Sequence, residues 1–449
     1  MSGQIDSSKL EKLGSHESRV FEQRTRRSQE LAQRAKKVMP SGVPMSWMQG
    51  LYRHSPLWIL RGDGAYFEDV DGNRYLDMNQ ADLSGALGFA PAPVVDVIAQ
   101  RSPQGTSFLL PTEDSILTAE MLAQRVGLPA WQFTLSASGA VNEVIRLSRV
   151  VTKRERILMF EGKYHGHVDD TLVENKSFSG EIPPTGVSPK SFVNAALVPF
   201  NDIASLRKAL QTRKFACLIA EPMLTNCNLV FPGNGFWGAV EEMCRETETW
   251  LVLDEAHTFT FAYGGLTREW SIHPDVVILG KGFGSGIPFG AYGVSADLGK
   301  ILEEKLDIDV GPRGVATGGT LYANSLSMAV AKTVLEKCLI PSEYEKVQNL
   351  GKRLGEGLTA LFKRKGLDWN APSIGGRAAW VLSPNLPRNA HQSLTLAQIS
   401  LTDTRRLFMA NRGVWEAIST AGPACSFAHT DSDVDKYLEV AEDFLEAVS

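Results

Sequence analysis

The chain has 449 residues, 43% of them hydrophobic and 22% charged, with a net charge of −5. That composition predicts a globular protein with a large core in two lobes. The mixed charge argues against nucleic acid or an anionic membrane surface as partner, and no apolar run approaches the roughly 20 residues that a membrane span needs. Five cysteines, scattered and never in C-x-x-C spacing, read as free thiols of a reducing compartment rather than as disulfides or a zinc site. The polar N-terminus lacks a signal core, so a cytoplasmic location is expected.

Residues 1–14 read as loosely attached. Glu17–Val38 is highly charged, with sparse apolar points at Val20, Phe21, Leu31, Ala32 and Ala35. It reads as a surface helix stopped by Pro40-Ser41-Gly42. The apolar loop Val43-Pro44-Met45-Ser46-Trp47-Met48 follows, and packing alone would explain it. Gly64–Asp77 alternates around Asp71-Gly72 and predicts a hairpin. From about residue 92 short strands and helices alternate, the mark of an α/β domain. Gln132–Leu135 is a predicted strand, leading through Ser136-Ala137-Ser138-Gly139-Ala140 into a helix over 141–150. Small residues between a strand and a helix N-terminus offer N–H groups and the helix dipole to an anion; a simple capped helix reads the same way. Ile157–Phe160 is the next strand, followed by Glu161-Gly162-Lys163-Tyr164-His165-Gly166-His167. No third ligand accompanies the two histidines, so the loop reads as structural and no metal is expected. Phe215–Ala220 is another buried strand, ending in Glu221-Pro222.

Two short apolar runs then carry the most chemistry. Trp250–Leu253 ends in Asp254-Glu255, and Val276–Leu279 ends in Gly280-Lys281-Gly282. Both read as buried strands of a parallel sheet. Ligands of open α/β sheets lie beyond the carboxyl ends of the strands, so Asp254 and Lys281 leave neighbouring strands on one edge. An acid and a lysine placed so suit pyridoxal 5'-phosphate (PLP), which needs a Schiff-base lysine and an acid against its pyridinium nitrogen. Asp254–His257 also spells DEAH, but no Gly-Lys pair here is followed by Ser or Thr, so no phosphate loop accompanies it. A dinucleotide reading of Gly282-x-Gly284-x-Gly286 fails on its third spacing. Farther on come Thr317-Gly318-Gly319-Thr320-Leu321-Tyr322-Ala323-Asn324 and a helix over 325–337. Helices are predicted over 344–363, 396–412 and 433–447, and Gly375–Leu382 reads as a strand entered through glycines.

Asp254-Glu255-Ala256-His257-Thr258, Gly280-Lys281 and Gly286-Ile287-Pro288-Phe289-Gly290 together resemble the class III aminotransferase family of fold type I PLP enzymes. Within it the chain is similar to the glutamate-1-semialdehyde aminomutase-like branch. The resemblance implies an α/β fold with a mostly parallel sheet in a large domain and a smaller α+β domain. It divides the chain into an N-terminal segment (1–85) joining the small domain and dimer contacts, a PLP-binding domain (86–330) and a small domain (331–449). Lys281 is then the Schiff-base lysine and the proton-transfer base, and Asp254 the partner of the pyridine nitrogen. Ser136, Ala137 and Ser138 hold the phosphate. The family carries Ser-Gly-Thr-Glu-Ala there, and this chain departs at Ala137 and Gly139; binding survives if Ala137 avoids positive φ. Tyr164 and Ala256 flank the cofactor ring, and His257 stands where many relatives carry a glutamine that contacts the phenolic oxygen. Glu221 and Asn226 match active-site residues. Thr320 matches a threonine that reaches the phosphate of the other subunit, which implies a homodimer.

The implied activity is ping-pong transfer of an amino group from an amino acid or amine to a keto acid. A mutase acting within one molecule and a cofactor-binding protein without turnover are the alternatives. Aminomutase relatives carry an arginine in the loop after the Pro-Gly-Gly turn, and the loop through Trp47 has none. Related β-amino acid aminotransferases carry a further arginine near the C-terminus, and Ile418–Pro423 has none. By elimination Arg377 is assigned the substrate carboxylate, with a structural ion pair as the other reading, and Trp47 an apolar substrate wall.

Overall fold

The computed structural model describes residues 5–50, 54–174, 186–305, 314–416 and 422–449. Residues 1–4 and 418–421, named above, lie outside these. The chain forms two compact units. The first comprises Met1–Pro91, Glu345–Leu386 and Leu396–Ser449; the second comprises Ala92–Tyr344 and Pro387–Thr395. Among the described residues no helix is long and apolar enough to cross a membrane.

In the first unit β1 (Ile59–Asp63), β2 (Tyr66–Asp69) and β3 (Arg74–Asp77) form an antiparallel meander, with Phe67 opposite Tyr75. The expected hairpin turns at Gly72, whose φ of 83° needs glycine. Asp69 Oδ1 closes the turn by accepting the N–H groups of Asp71 and Asn73 at 2.9 and 2.8 Å. The N-terminus departs from expectation. A helix already begins at Ser7, because Asp6 caps it by accepting the N–H groups of Ser8 and Lys9. Its buried Leu10 and Phe21 hold it in place. The single helix expected over 17–38 is two, Ser7–Arg24 and Arg26–Ala35. They break at Thr25, which leaves helical geometry and donates its hydroxyl to Phe21 O at 2.8 Å.

The second unit holds a seven-stranded sheet of β4 (Ala130–Thr134), β5 (Arg156–Phe160), β6 (Ala195–Val198), β7 (Phe215–Ala220), β8 (Trp250–Asp254), β9 (Val276–Leu279) and β10 (Gly290–Val294). The order is β4-β10-β9-β8-β7-β5-β6. β10 runs antiparallel to both neighbours, and the remaining pairs are parallel. Every residue of β7, β8 and β9 is buried, as expected for parallel strands covered on both faces. That two-sided burial is why these strands read as unbroken apolar runs.

The remaining strands are β11 (Ser373–Ile374), β12 (Arg377–Ala378) and β13 (Val414–Trp415), all in the first unit. The strand expected over 375–382 shortens to β12 plus a single bridge from Val381 to Asn370. β13 extends the meander, parallel to β3, with Val414 beside Leu76. Phe21, Phe67, Tyr75, Ala410 and Trp415 then share one hydrophobic cluster, four of its five side chains aromatic.

Candidate active site

The carboxyl ends of β5, β7, β8 and β9 lie on one edge of the sheet, and the candidate residues follow them. Asp254 ends β8 in register with Ile278 of β9. Glu255 N–H continues the ladder to Ile278 O at 2.9 Å. Lys281 lies just past β9 with φ at 51°, a left-handed conformation that a side chain adopts at a cost. Backbone strain of this kind concentrates where function over-determines geometry.

Gly280 fixes how the end of β9 meets the helix Ala137–Thr152. A Cβ on Gly280 would stand 2.9 Å from Ala137 Cβ and 3.0 Å from Ala137 N. Lys281 therefore begins where the helix begins. Ser136 caps that helix, its hydroxyl accepting Gly139 N–H at 3.1 Å. The first-turn N–H groups of Ala137 and Ser138 have no acceptor within the helix. Ala137 is not among the residues at positive φ, which meets the condition set by its departure from the family motif. A cleft of about 570 Å³ runs from Ser138 and Gly139 along the helix to Arg149 and is closed by Asp169 and Asp170; it borders this turn but is not lined by Ala137, Asp254 or Lys281. The loop after β5 presses on the same turn: His167 N–H donates to Ser138 Oγ at 3.1 Å.

Asp254 is 4% exposed. Its Oδ1 accepts Ala256 N–H at 3.0 Å and its Oδ2 accepts His165 Nδ1–H at 2.9 Å. His165, read from the sequence as part of a structural loop, is thus the side chain that orients this carboxylate. The neighbouring Glu255 has a different job. It is fully buried and accepts Thr258 Oγ1, Leu266 N–H at 3.2 Å and Thr267 N–H at 2.5 Å. Burial pushes its pKa up, against those hydrogen bonds.

Glu221 follows β7 and is also buried. Its pKa is raised by burial first and by Asp254 as a like charge, while His165 and the Thr225 hydroxyl act against the shift. Thr225 bonds to Glu221 Oε2 and to His257 Nδ1; sequence reasoning gave Thr225 no role. Tyr164 is 44% exposed, Ala256 half-buried and Thr320 exposed. In the first unit Trp47 is exposed, whereas Arg377 is 2% exposed on β12. A guanidinium that grips an incoming carboxylate needs an open side, and Arg377 has almost none in this conformation.

Two polar atoms around Asp254, His165 Nε2 and Glu221 Oε1, are buried without a hydrogen-bond partner, and so is Asn226 Nδ2 in the segment after β7. Such atoms are costly unless a polar ligand satisfies them. Together with the helix N-terminus, Asp254 and Lys281, they fit a cofactor with a phosphate, a ring nitrogen and an aldehyde.

The class III aminotransferase family model matches residues 48–374. The chain is 33% identical over 437 residues to a glutamate-1-semialdehyde 2,1-aminomutase of Desulforudis audaxviator, across 93% of this chain and 97% of that one. A solved glutamate-1-semialdehyde aminomutase from Pseudomonas aeruginosa PAO1, in complex with PMP, superposes with a TM-score of 0.93 at 29% identity, covering 99% of this chain and 100% of that one. An omega-transaminase from Sphaerobacter thermophilus gives 0.86 at 25% identity, covering 94% and 97%. With the geometry of Asp254 and Lys281, these likenesses establish PLP as the cofactor and fold type I as the architecture. The chain belongs to the class III aminotransferase family of PLP-dependent enzymes.

Proposed function

We propose that the protein is an aminotransferase that moves an amino group from an amino acid or amine to a keto acid by a ping-pong mechanism. The observation that carries the reading is the pairing of Lys281, in a left-handed conformation past β9, with the oriented carboxylate of Asp254 on the adjacent strand. When bound, PLP supplies the sink for the electron pair left at the substrate Cα. Asp254, held by His165 and Ala256, keeps a proton on the pyridine nitrogen. Lys281 Nζ takes the Cα proton and returns it one atom away. Ala137 and Ser138 bind the phosphate through their N–H groups, while Tyr164 and Ala256 flank the ring. His257 meets the phenolic oxygen. Thr320 serves the phosphate of a partner subunit, so the enzyme works as a homodimer. Trp47 and Arg377 keep their sequence-derived assignment to the substrate as part of this proposal, as does a cytoplasmic location.

Transfer between separate molecules is favoured over an intramolecular mutase because residues 43–50 contain no arginine. The mutase reading is favoured in turn by the identity to glutamate-1-semialdehyde aminomutases. Two assays decide. Borohydride reduction should fix cofactor covalently to the wild type and not to Lys281→Ala; equal labelling of both removes Lys281 from its role. Loaded protein given a panel of amino acids and amines with a keto acid should form the new amino acid. Conversion of glutamate 1-semialdehyde alone, with no transfer to any acceptor, would replace this proposal with the mutase.

A further inference from the structure

Beyond the ends of β7 and β8 a chain of hydrogen bonds links three buried side chains. Thr225 Oγ1 lies 2.5 Å from His257 Nδ1 and also bonds to Glu221 Oε2, which accepts Thr225 N–H at 3.2 Å. His257 Nδ1 and Glu221 Oε2 are 3.9 Å apart, so the hydroxyl is the link between them. All three residues are buried, and water is a poor substitute for any of these contacts.

A hydroxyl has one proton to give. If Glu221 is ionised, Thr225 donates to it and must accept from His257 Nδ1–H. If Glu221 is protonated, the acid donates to Thr225, Thr225 donates to His257 Nδ1, and the histidine carries its proton on Nε2. The surroundings favour the second arrangement. Glu221 Oε1 makes no hydrogen bond of good geometry, whereas Oε2 faces the Thr225 hydroxyl, so an acid proton is best placed on Oε2. Burial, the largest influence, and Asp254 favour the neutral acid; His165, the Thr225 hydroxyl, the Tyr164 N–H and Lys163 face Glu221 and oppose it.

We propose that Glu221, Thr225 and His257 form a buried proton relay in which Thr225 fixes the His257 tautomer as Nε2–H and ties it to the protonation of Glu221. Thr225 is the positioning residue. The relay conserves charge: the Glu221 proton passes to Thr225 Oγ1 as the Thr225 proton passes to His257 Nδ1. This leaves a carboxylate, a neutral hydroxyl and an imidazolium that can give up its Nε2 proton. In the loaded enzyme that proton faces the phenolic oxygen of the cofactor, a consequence that rests on the placement of His257 proposed above.

The relay is tested first in cofactor-free protein labelled with 15N-histidine. The chain has eight histidines, and His257→Gln assigns the signal. Long-range 15N–1H correlation at neutral pH should show a neutral Nε2–H tautomer in the wild type and in Thr225→Ser. Thr225→Val should give a tautomer mixture or the Nδ1–H form. A wild-type Nδ1–H tautomer overturns the proposal, as does a folded Thr225→Val whose His257 shifts match the wild type. The second arm is the pH titration of the visible absorption of loaded protein. Its midpoint should move by about one pH unit in Thr225→Val and stay in place in Thr225→Ser. A changed tautomer with an unmoved midpoint upholds the relay and removes His257 from the phenolic oxygen.

Discussion

Gly280→Ala should push the lysine away from the phosphate-binding turn while leaving Lys281 itself unchanged. The added Cβ would stand 2.9 Å from Ala137 Cβ and 3.0 Å from Ala137 N, where carbon contacts settle at about 3.5–4.0 Å. A deficit of about 0.6 Å or more must be met by backbone, because both atoms belong to the first residue of a helix. Overpacking of this kind typically costs about 1–3 kcal/mol. Its larger effect should be on chemistry, because Lys281 would retreat from the Ala137 N–H by an appreciable fraction of an ångström. Misplacement near 1 Å can cost about 100-fold in rate, so a loss of roughly 10–100-fold in kcat is expected. Cofactor affinity should weaken as well, read by the visible absorbance of protein dialysed against graded PLP. Ala137→Gly in the same chain removes the nearer clash and should restore part of both losses, whereas Ala137→Gly alone should be mild. The reasoning fails if Gly280→Ala binds cofactor and turns over as the wild type does, or if the double variant is no better than the single.

Asp254→Asn should retain cofactor but lose turnover by roughly 100-fold or more, since an electrostatic contact of this kind contributes about 3 kcal/mol to lowering a barrier; steady-state rates within a few-fold of wild type would exclude the role. Mixed dimers of Thr320→Val and Lys281→Ala chains contain one site with both lesions and one with neither if Thr320 serves the partner. Activity should therefore reappear on mixing, and mixed dimers shown to form without regaining activity would count against a shared site. Acid should weaken the first unit through His429, which is fully buried and accepts Ser426 N–H on Nδ1 at 2.9 Å. Burial holds its pKa below the usual value, Lys346 adds to this, and Asp433 opposes it. The unfolded chain then takes up the proton first as pH falls below about 6.5, so stability drops by up to ~1.4 kcal/mol per pH unit. Urea unfolding of wild type and His429→Asn at pH 7 and pH 5 measures this, and equal pH slopes in the two proteins would refute it.

The strands were most legible where burial is two-sided. β7 and β9 match the apolar runs at both ends, because turn residues bound them sharply. Asp254 and Lys281 were legible for the same reason, since the strand-end rule names whatever follows such a run. That rule does not reach His165, which lies five residues past the end of β5 and meets Asp254 only through the fold of its loop. The Asp-Glu pair shows a limit of motifs. Two adjacent carboxylates look alike in sequence, yet one points to the sheet edge and the other anchors the Thr258–Thr267 turn. Thr225 gave no signal at all, because it lies in an irregular segment and its partner is 32 residues away. In the first unit the two-residue strands β11 and β13 are too short for any period to register, and β12 reads as longer than it is. The start of the N-terminal helix, from Ser7 to the expected onset at Glu17, was missed because Asp6 gains its value from a cap rather than from local pattern.

The pairing of β3 with β13 sets an order of events during synthesis. About 340 residues separate the two strands, and a ribosome adding roughly 5–20 residues per second needs on the order of 20–70 s to cover them. Throughout that interval Phe21, Phe67 and Tyr75 have emerged without Trp415 or Ala410 to cover them. The sheet of the second unit is meanwhile complete once β10 has emerged. The nascent chain thus carries a folded sheet behind an unfinished, aromatic leading end, and that end is the natural client for a chaperone until the last hundred residues arrive.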